Sequence, residues 1–130
     1  MHTPDRTTTL MHRTFTLIGA VAGFLAVVFG AFAAHSLRGR LAPEMLAVFE
    51  TGARYQMYHA LALVLTAILF ERSPRRVLAV AGWLFTVGIV LFSGSLYLLA
   101  TTGGTVWGAV TPLGGVALMA GWLCLGAGSL

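Results

Sequence analysis

Four stretches of the chain run almost without charge, divided by short segments in which arginine, proline, glycine and threonine gather. About 20 helical residues cross a hydrocarbon core, and by that measure the pattern predicts spans at residues 15–34, 53–70, 77–100 and 112–129. Residues 1–12, rich in threonine, are expected as a flexible tail ahead of one transmembrane domain at 13–130, with Met11 an alternative start. The first run also has a signal-sequence reading, because Arg6 and Arg13 precede it and Ala31-Phe32-Ala33 matches a cleavage site. Its length favours a retained helix.

Before the second span the pattern changes. Leu46, Phe49, Ala53 and Met57 fall near one helical face, with Glu44, Thr51 and Arg54 elsewhere and Glu50 one turn before Arg54. This predicts an interfacial amphipathic helix that enters the membrane through a bend at Gly52. Glu71-Arg72-Ser73-Pro74-Arg75-Arg76 is a tight polar turn, so the second and third spans form an antiparallel hairpin. The last loop, 101–108, is uncharged and glycine-rich, with Trp107 as an interfacial anchor. Thr111-Pro112 resembles an N-cap followed by a first-turn proline. Gly19, Gly23 and Gly30 in the first span, and Gly114 and Gly121 in the fourth, recur at helical spacing. Small residues on one face let helices approach closely in lipid, which predicts an all-α fold, four transmembrane helices in a compact bundle.

Composition removes the soluble alternative: the 130 residues are 58% hydrophobic and 9% charged, against about a quarter charged in an ordinary soluble domain. The net charge of +4 comes from arginines alone. They sit in caps and loops between apolar runs, so the expected partner is the lipid bilayer and not nucleic acid. Arg6, Arg13, Arg72, Arg75 and Arg76 share one side, and Arg38, Arg40 and Arg54 the other, with Glu44 and Glu50. Both termini are therefore expected in the cytoplasm. Cys124, the single cysteine, lies in an apolar stretch and reads as a packing residue.

Four blocks resemble one known family: GAFAAHSL from Gly30, FETGARYQMYHALAL from Phe49, FSGSLYLL from Phe92, and TPLGG from Thr111. Together, and in this order, they are similar to the YgdD-like domain-of-unknown-function membrane proteins, from about Met11 to the C-terminus. The resemblance implies a small four-span protein of the bacterial inner membrane, with mitochondrial relatives and no established activity.

At 1.5 Å per residue, His59 stands about 18 Å above Glu71, in the half of the membrane away from the arginine-rich side. His35 ends the first span there, and Ser93, Ser95, Tyr97 and Thr111 approach the same level, whereas the other half holds only Thr16, Thr66 and Thr86. This predicts a polar pocket of His35, Arg54, Tyr55, His59, Ser93, Ser95, Tyr97 and Thr111. Each has a plain structural alternative: a helix cap for His35, interhelical hydrogen bonding for His59, an i,i+4 pair with Glu50 for Arg54, and an aromatic belt for the tyrosines.

A structural or interaction role comes first among the functions, with a second copy or another membrane protein as partner. Transport or ligand binding through the polar pocket is second, although the arginine-rich half offers no matching polar route. Haem ligation by His35 and His59 is third, and their depths argue against one shared iron. No cofactor is called for: there is no P-loop, no haem-attachment motif, no third well-placed ligand beside His35 and His59 to complete a zinc site and no intramembrane acid for a serine hydrolase. A non-enzymatic protein is the expectation.

Overall fold

The computed structural model describes Thr3 and residues 5–130. It is all-helical: α1 (Arg6–Phe32), α2 (Pro43–Arg72), α3 (Arg76–Thr102) and α4 (Thr105–Gly128). Three of them are long and apolar enough to cross a membrane: α1 with the π-helical turn that extends it through Leu37, then α3, then α4. The fourth, α2, spans 30 residues, or about 45 Å, but the stretch from its start to His59 carries Glu44, Glu50, Arg54, Gln56 and His59.

Several boundaries differ from the sequence expectation. The first helix begins at Arg6, so part of the stretch expected as a flexible tail is ordered; Met1, His2 and Pro4 lie outside the described residues. Hydrogen bonds account for this order. Thr14 and Thr16 donate to the carbonyls of Leu10 and His12, and the imidazole of His12 reaches the Ala67 carbonyl of α2 at 3.2 Å. The segment expected as an interfacial helix and the second span belong to one helix, since α2 continues through Gly52. That glycine answers a packing demand: a Cβ there would stand 2.8 Å from the Tyr97 ring.

The last connection is shorter than expected. Gly103, at φ 71°, ends α3 in the left-handed region and donates its N–H to the Leu99 carbonyl. The chain restarts as a helix at Thr105, so Thr111 is not an N-cap and Pro112 lies inside α4. An internal proline frees the carbonyl four residues earlier and crowds it. Here that residue is Gly108, and the Thr111 hydroxyl donates to the neighbouring Trp107 carbonyl at 3.1 Å.

The helices pack antiparallel in chain order, α1 on α2, α2 on α3 and α3 on α4, while α1 and α4 do not pack on each other. This is a more open arrangement than a closed bundle. Glycines set the close approaches. A Cβ at Gly19 would meet Val64 at 2.9 Å, one at Gly121 would meet the Phe85 ring at 2.8 Å, and one at Gly114 would strike the Phe92 backbone. Gly23 has only ordinary contacts, and Gly30, expected on the same packing face, meets nothing within 4 Å. It borders an open groove between α1 and α2.

Two apolar clusters result. The larger, around Phe15, Leu63, Phe70, Leu78 and Phe85, fills the arginine-rich half, and the smaller joins Ala33, Leu37, Phe49 and Ala100 at the opposite end. At the arginine-rich end His12 stands 3.7 Å from Glu71, and Arg75 donates to the Gly128 carbonyl, closing the C-terminus of α4.

Candidate functional site

Polar side chains gather between the two apolar clusters. Four, Gln56, His59, Ser93 and Ser95, are buried there. The Tyr97 hydroxyl of α3 donates to Gln56 Oε1 at 2.7 Å, and Gln56 Nε2 donates to the Ala22 carbonyl of α1 at 2.8 Å. One amide therefore joins three helices. Ser93 donates to the Gly52 carbonyl at 2.7 Å, a second link from α3 to α2. Gly52 makes both links possible, since its missing side chain leaves room for the Tyr97 ring against the backbone of α2.

His59 forms a third link. Its Nδ1 lies 2.6 Å from the Tyr55 carbonyl, and its Nε2 lies 3.0 Å from Nε1 of Trp122 on α4. A carbonyl only accepts and an indole N–H only donates, so the pair of bonds fixes one form of the ring, neutral with the proton on Nδ1. Both nitrogens are then occupied. Phe85 and Trp122 pack around the imidazole with centroids at 5.9 Å each, and the Tyr55 ring lies stacked at 6.1 Å.

Ser95 and Thr111 join α3 to α4, with hydroxyl oxygens 2.6 Å apart. Ser95 also lies 2.9 Å from the Phe92 carbonyl, and Thr111 has its contact with Trp107. Two hydroxyl protons serve three contacts, so the Ser95–Thr111 bond forms only when one hydroxyl turns from its own backbone. Among the described residues every buried side-chain nitrogen and oxygen has a partner within the chain.

The eight residues expected to line one pocket are thus distributed differently. His59, Ser93, Ser95, Tyr97 and Thr111 are brought to neighbouring levels but are engaged in separate interhelical bonds. Tyr55 is half-exposed on the surface of α2. His35 is exposed on the π-helical turn and Arg54 is exposed on α2, and no ion pair joins Arg54 to Glu50 among the described residues. Two larger spaces among the described residues are apolar grooves. One of about 710 Å³ lies between α2 and α4, and Tyr55 and His59 line it together with Tyr58, Phe92, Leu118 and Trp122. Another of about 530 Å³ lies between α1 and α3, with Gln56 and Tyr97 among its lining residues. No group of three histidine, cysteine or acidic side chains suited to a metal ion is present among the described residues.

Sequence reasoning missed Gln56 and Trp122. The signal for Gln56 was available: it is an amide inside an apolar stretch, four residues after Gly52 and three before His59, and so on their helical face. Trp122 gave none, since a tryptophan in an apolar span is ordinary packing material until its neighbour is known.

The family model described as "Protein of unknown function (DUF423)" matches residues 29–115. UPF0382 membrane protein YwdK of Bacillus subtilis is 46% identical over 114 residues, covering 87% of this chain and 93% of the relative. UPF0382 membrane protein SH2409 of Staphylococcus haemolyticus is 42% identical over 113 residues, covering 87% and 92%. A UPF0382 membrane protein of Haemophilus influenzae is 39% identical over 120 residues, covering 92% and 95%. No solved structure matches the chain. The matched segment carries the links from Gln56 to Tyr97, Gly52 to Ser93 and Ser95 to Thr111, and the chain belongs to this family of uncharacterised membrane proteins.

Proposed function

We propose that the protein is a membrane-embedded structural protein without a reaction of its own, acting through association with other membrane proteins. The observation that carries this reading is the internal saturation of the buried polar side chains among the described residues. A conducting or catalytic site keeps some polar atoms free for a substrate, whereas Gln56, His59, Ser93 and Tyr97 each bridge to another helix. Such bonds select a register between helices that are otherwise uniformly apolar.

In this reading all four helices cross the bacterial inner membrane, α2 with its polar side chains turned to α1, α3 and α4. Both termini lie in the cytoplasm. The arginine count supports that orientation: Arg6, Arg13, Arg72, Arg75 and Arg76 at one end against Arg38, Arg40 and Arg54 at the other. Cysteines placed at Ser73 and Gly104 in a Cys124→Ser background should react with a membrane-impermeant maleimide from opposite sides. Labelling of both from one side would refute four spans.

Purified protein in liposomes should pass protons, alkali cations and chloride no faster than empty liposomes. A flux carried by the wild type and lost in His59→Ala would replace this reading with transport through the polar groups.

A further inference from the structure

Among the described residues two histidines reach across to another helix, and their partners are opposite in kind. His59 has one acceptor, the Tyr55 carbonyl, and one donor, the Trp122 indole. That set suits the neutral ring. His12, at the arginine-rich end of α1, faces two acceptors on α2: its Nδ1 lies 3.2 Å from the Ala67 carbonyl and its Nε2 lies 3.7 Å from a Glu71 carboxylate oxygen. Neither a carbonyl nor an ionised carboxylate has a proton to give. A neutral His12 with its proton on Nδ1 keeps the first contact and turns a bare lone pair toward Glu71, whereas the imidazolium suits both. The contact also has a mechanical role. Among the described residues it is the one hydrogen bond from residues 6–14 to another helix. Met11 is only partly buried against the larger apolar cluster and Leu10 is exposed, so little apolar burial competes with His12 in docking the first turns of α1.

We propose that His12 and Glu71 form a proton-controlled latch: with His12 protonated the first turns of α1 dock on the end of α2, and with His12 neutral they open from it more readily. Imidazole is the side chain whose charge changes between about pH 5 and 8. The other charges at this end are Arg72 on α2, Arg75 and Arg76 at the start of α3, and Asp5, Arg6 and Arg13 at the start of α1. An arginine or an ordinary carboxylate keeps its charge across that range, so these groups form a constant background and the change comes from His12. Arg75 is drawn to the Gly128 carbonyl of α4, and Glu71 is the one carboxylate paired with the His12 ring among the described residues. The Glu71 side chain is 63% exposed against 23% for His12. Solvent therefore screens the pair, and its charge shifts the local docking equilibrium by about two- to fivefold. The latch goes beyond the structural role proposed above and stands apart from it. Which compartment's pH it reads follows from the orientation of the helices; the device itself does not.

Hydrogen–deuterium exchange of the full chain in detergent micelles provides the test, read as protection factors so that the intrinsic pH dependence of exchange divides out. Protonation favours the docked form, so by linkage docking is strongest at low pH and weakens as the proton leaves. Protection of the amides from Leu10 to Thr16 should fall about two- to fivefold between about pH 5.5 and about pH 8, while that of Gly88 to Ser95 on α3 stays level. His12→Gln can still donate to the Ala67 carbonyl but takes up no proton, and should give a flat profile at the wild-type high-pH level. Glu71→Gln should flatten the profile as well. Glu71→Lys should invert it, because a positive charge there repels the imidazolium. Wild-type protection from Gly88 to Ser95 shows in each case that the variant is folded. A flat wild-type profile would overturn the latch. So would a pH dependence that survives His12→Gln, which would assign it to another group. A dependence that disappears in His12→Gln yet ignores both Glu71 substitutions would also overturn it, leaving His12 titrating without the proposed partner.

Discussion

Replacing Gly52 with alanine separates a packing role from a flexible one. In a helix interior, alanine is favoured over glycine by about 1 kcal/mol, so a glycine with no packing duty should yield a more stable protein when replaced. At Gly52 the added Cβ would lie 2.8 Å and 3.2 Å from two carbons of the Tyr97 ring and 3.4 Å from Leu96 Cβ. The ring has little room to withdraw, because Phe29 and Phe49 lie against it with centroids 4.8 Å away. Overpacking of this kind costs about 1–3 kcal/mol. Separating α2 from α3 would also stretch the Ser93–Gly52 and Tyr97–Gln56 bonds, both at 2.7 Å, and one interhelical bond in a membrane is worth about 0.6 kcal/mol, up to about 1.7. Subtracting the propensity gain leaves a net loss of roughly 0.5–4 kcal/mol. Gly94 is the internal control, since nothing lies within 4 Å of a Cβ there; Gly94→Ala should stabilise by up to about 1 kcal/mol. Reversible unfolding in mixed micelles of increasing SDS content, followed by circular dichroism, measures both. Tyr97→Leu removes the obstructing ring, so the double variant with Gly52→Ala should cost at least about 1 kcal/mol less than the sum of the two. A stabilised Gly52→Ala, or strict additivity with Tyr97→Leu, would refute the close approach.

The other links give smaller, distinct signals in the same unfolding assay. Trp122→Phe removes the donor to His59 Nε2 and should cost about 1 kcal/mol, whereas Trp122→Phe with His59→Leu should cost less than the two separately. Gln56→Leu leaves the Tyr97 hydroxyl without its acceptor and should destabilise by about 1–3 kcal/mol; adding Tyr97→Phe should recover most of that loss, because removing both partners of a bond is cheaper than removing one. Arg75→Gln should cost about 0.5 kcal/mol and speed amide exchange at the C-terminal end of α4, with no effect near Gly52.

How much of this was legible in the sequence depends on which length scale the sequence encodes. Each of the four long helices contains one of the apolar runs read from the sequence, because lipid asks the same thing of every residue on an exposed face. The turn at 71–76 was legible from Pro74 and its flanking charges. Helix ends were less so. The start of α4 was misread because Pro112, usually an initiator, is accommodated inside the helix over Gly108. Glycine spacing identified Gly19, Gly114 and Gly121 as close approaches, yet the same spacing placed Gly30 in contact where α1 and α2 leave a groove. Periodicity gives the face a residue occupies, not the neighbour that covers it.

That distinction also explains why a polar pocket was expected and paired bonds were found. A histidine, a serine or a tyrosine at the right depth reads identically whether its hydrogen bond goes to a ligand or to the next helix. The deciding residues are the partners, and here they are weak signals by type: a glycine whose carbonyl accepts from Ser93, an alanine whose carbonyl accepts from Gln56, and a tryptophan that donates to His59. Backbone carbonyls can serve only where side chains leave them accessible, so the small residues and the polar residues of this chain form one device. Gly52 admits Tyr97, Tyr97 orients Gln56, and Gln56 reaches α1. Disrupting the glycine should therefore loosen bonds that it does not itself make, which is why a single added methyl group is the sharpest probe of the polar layer.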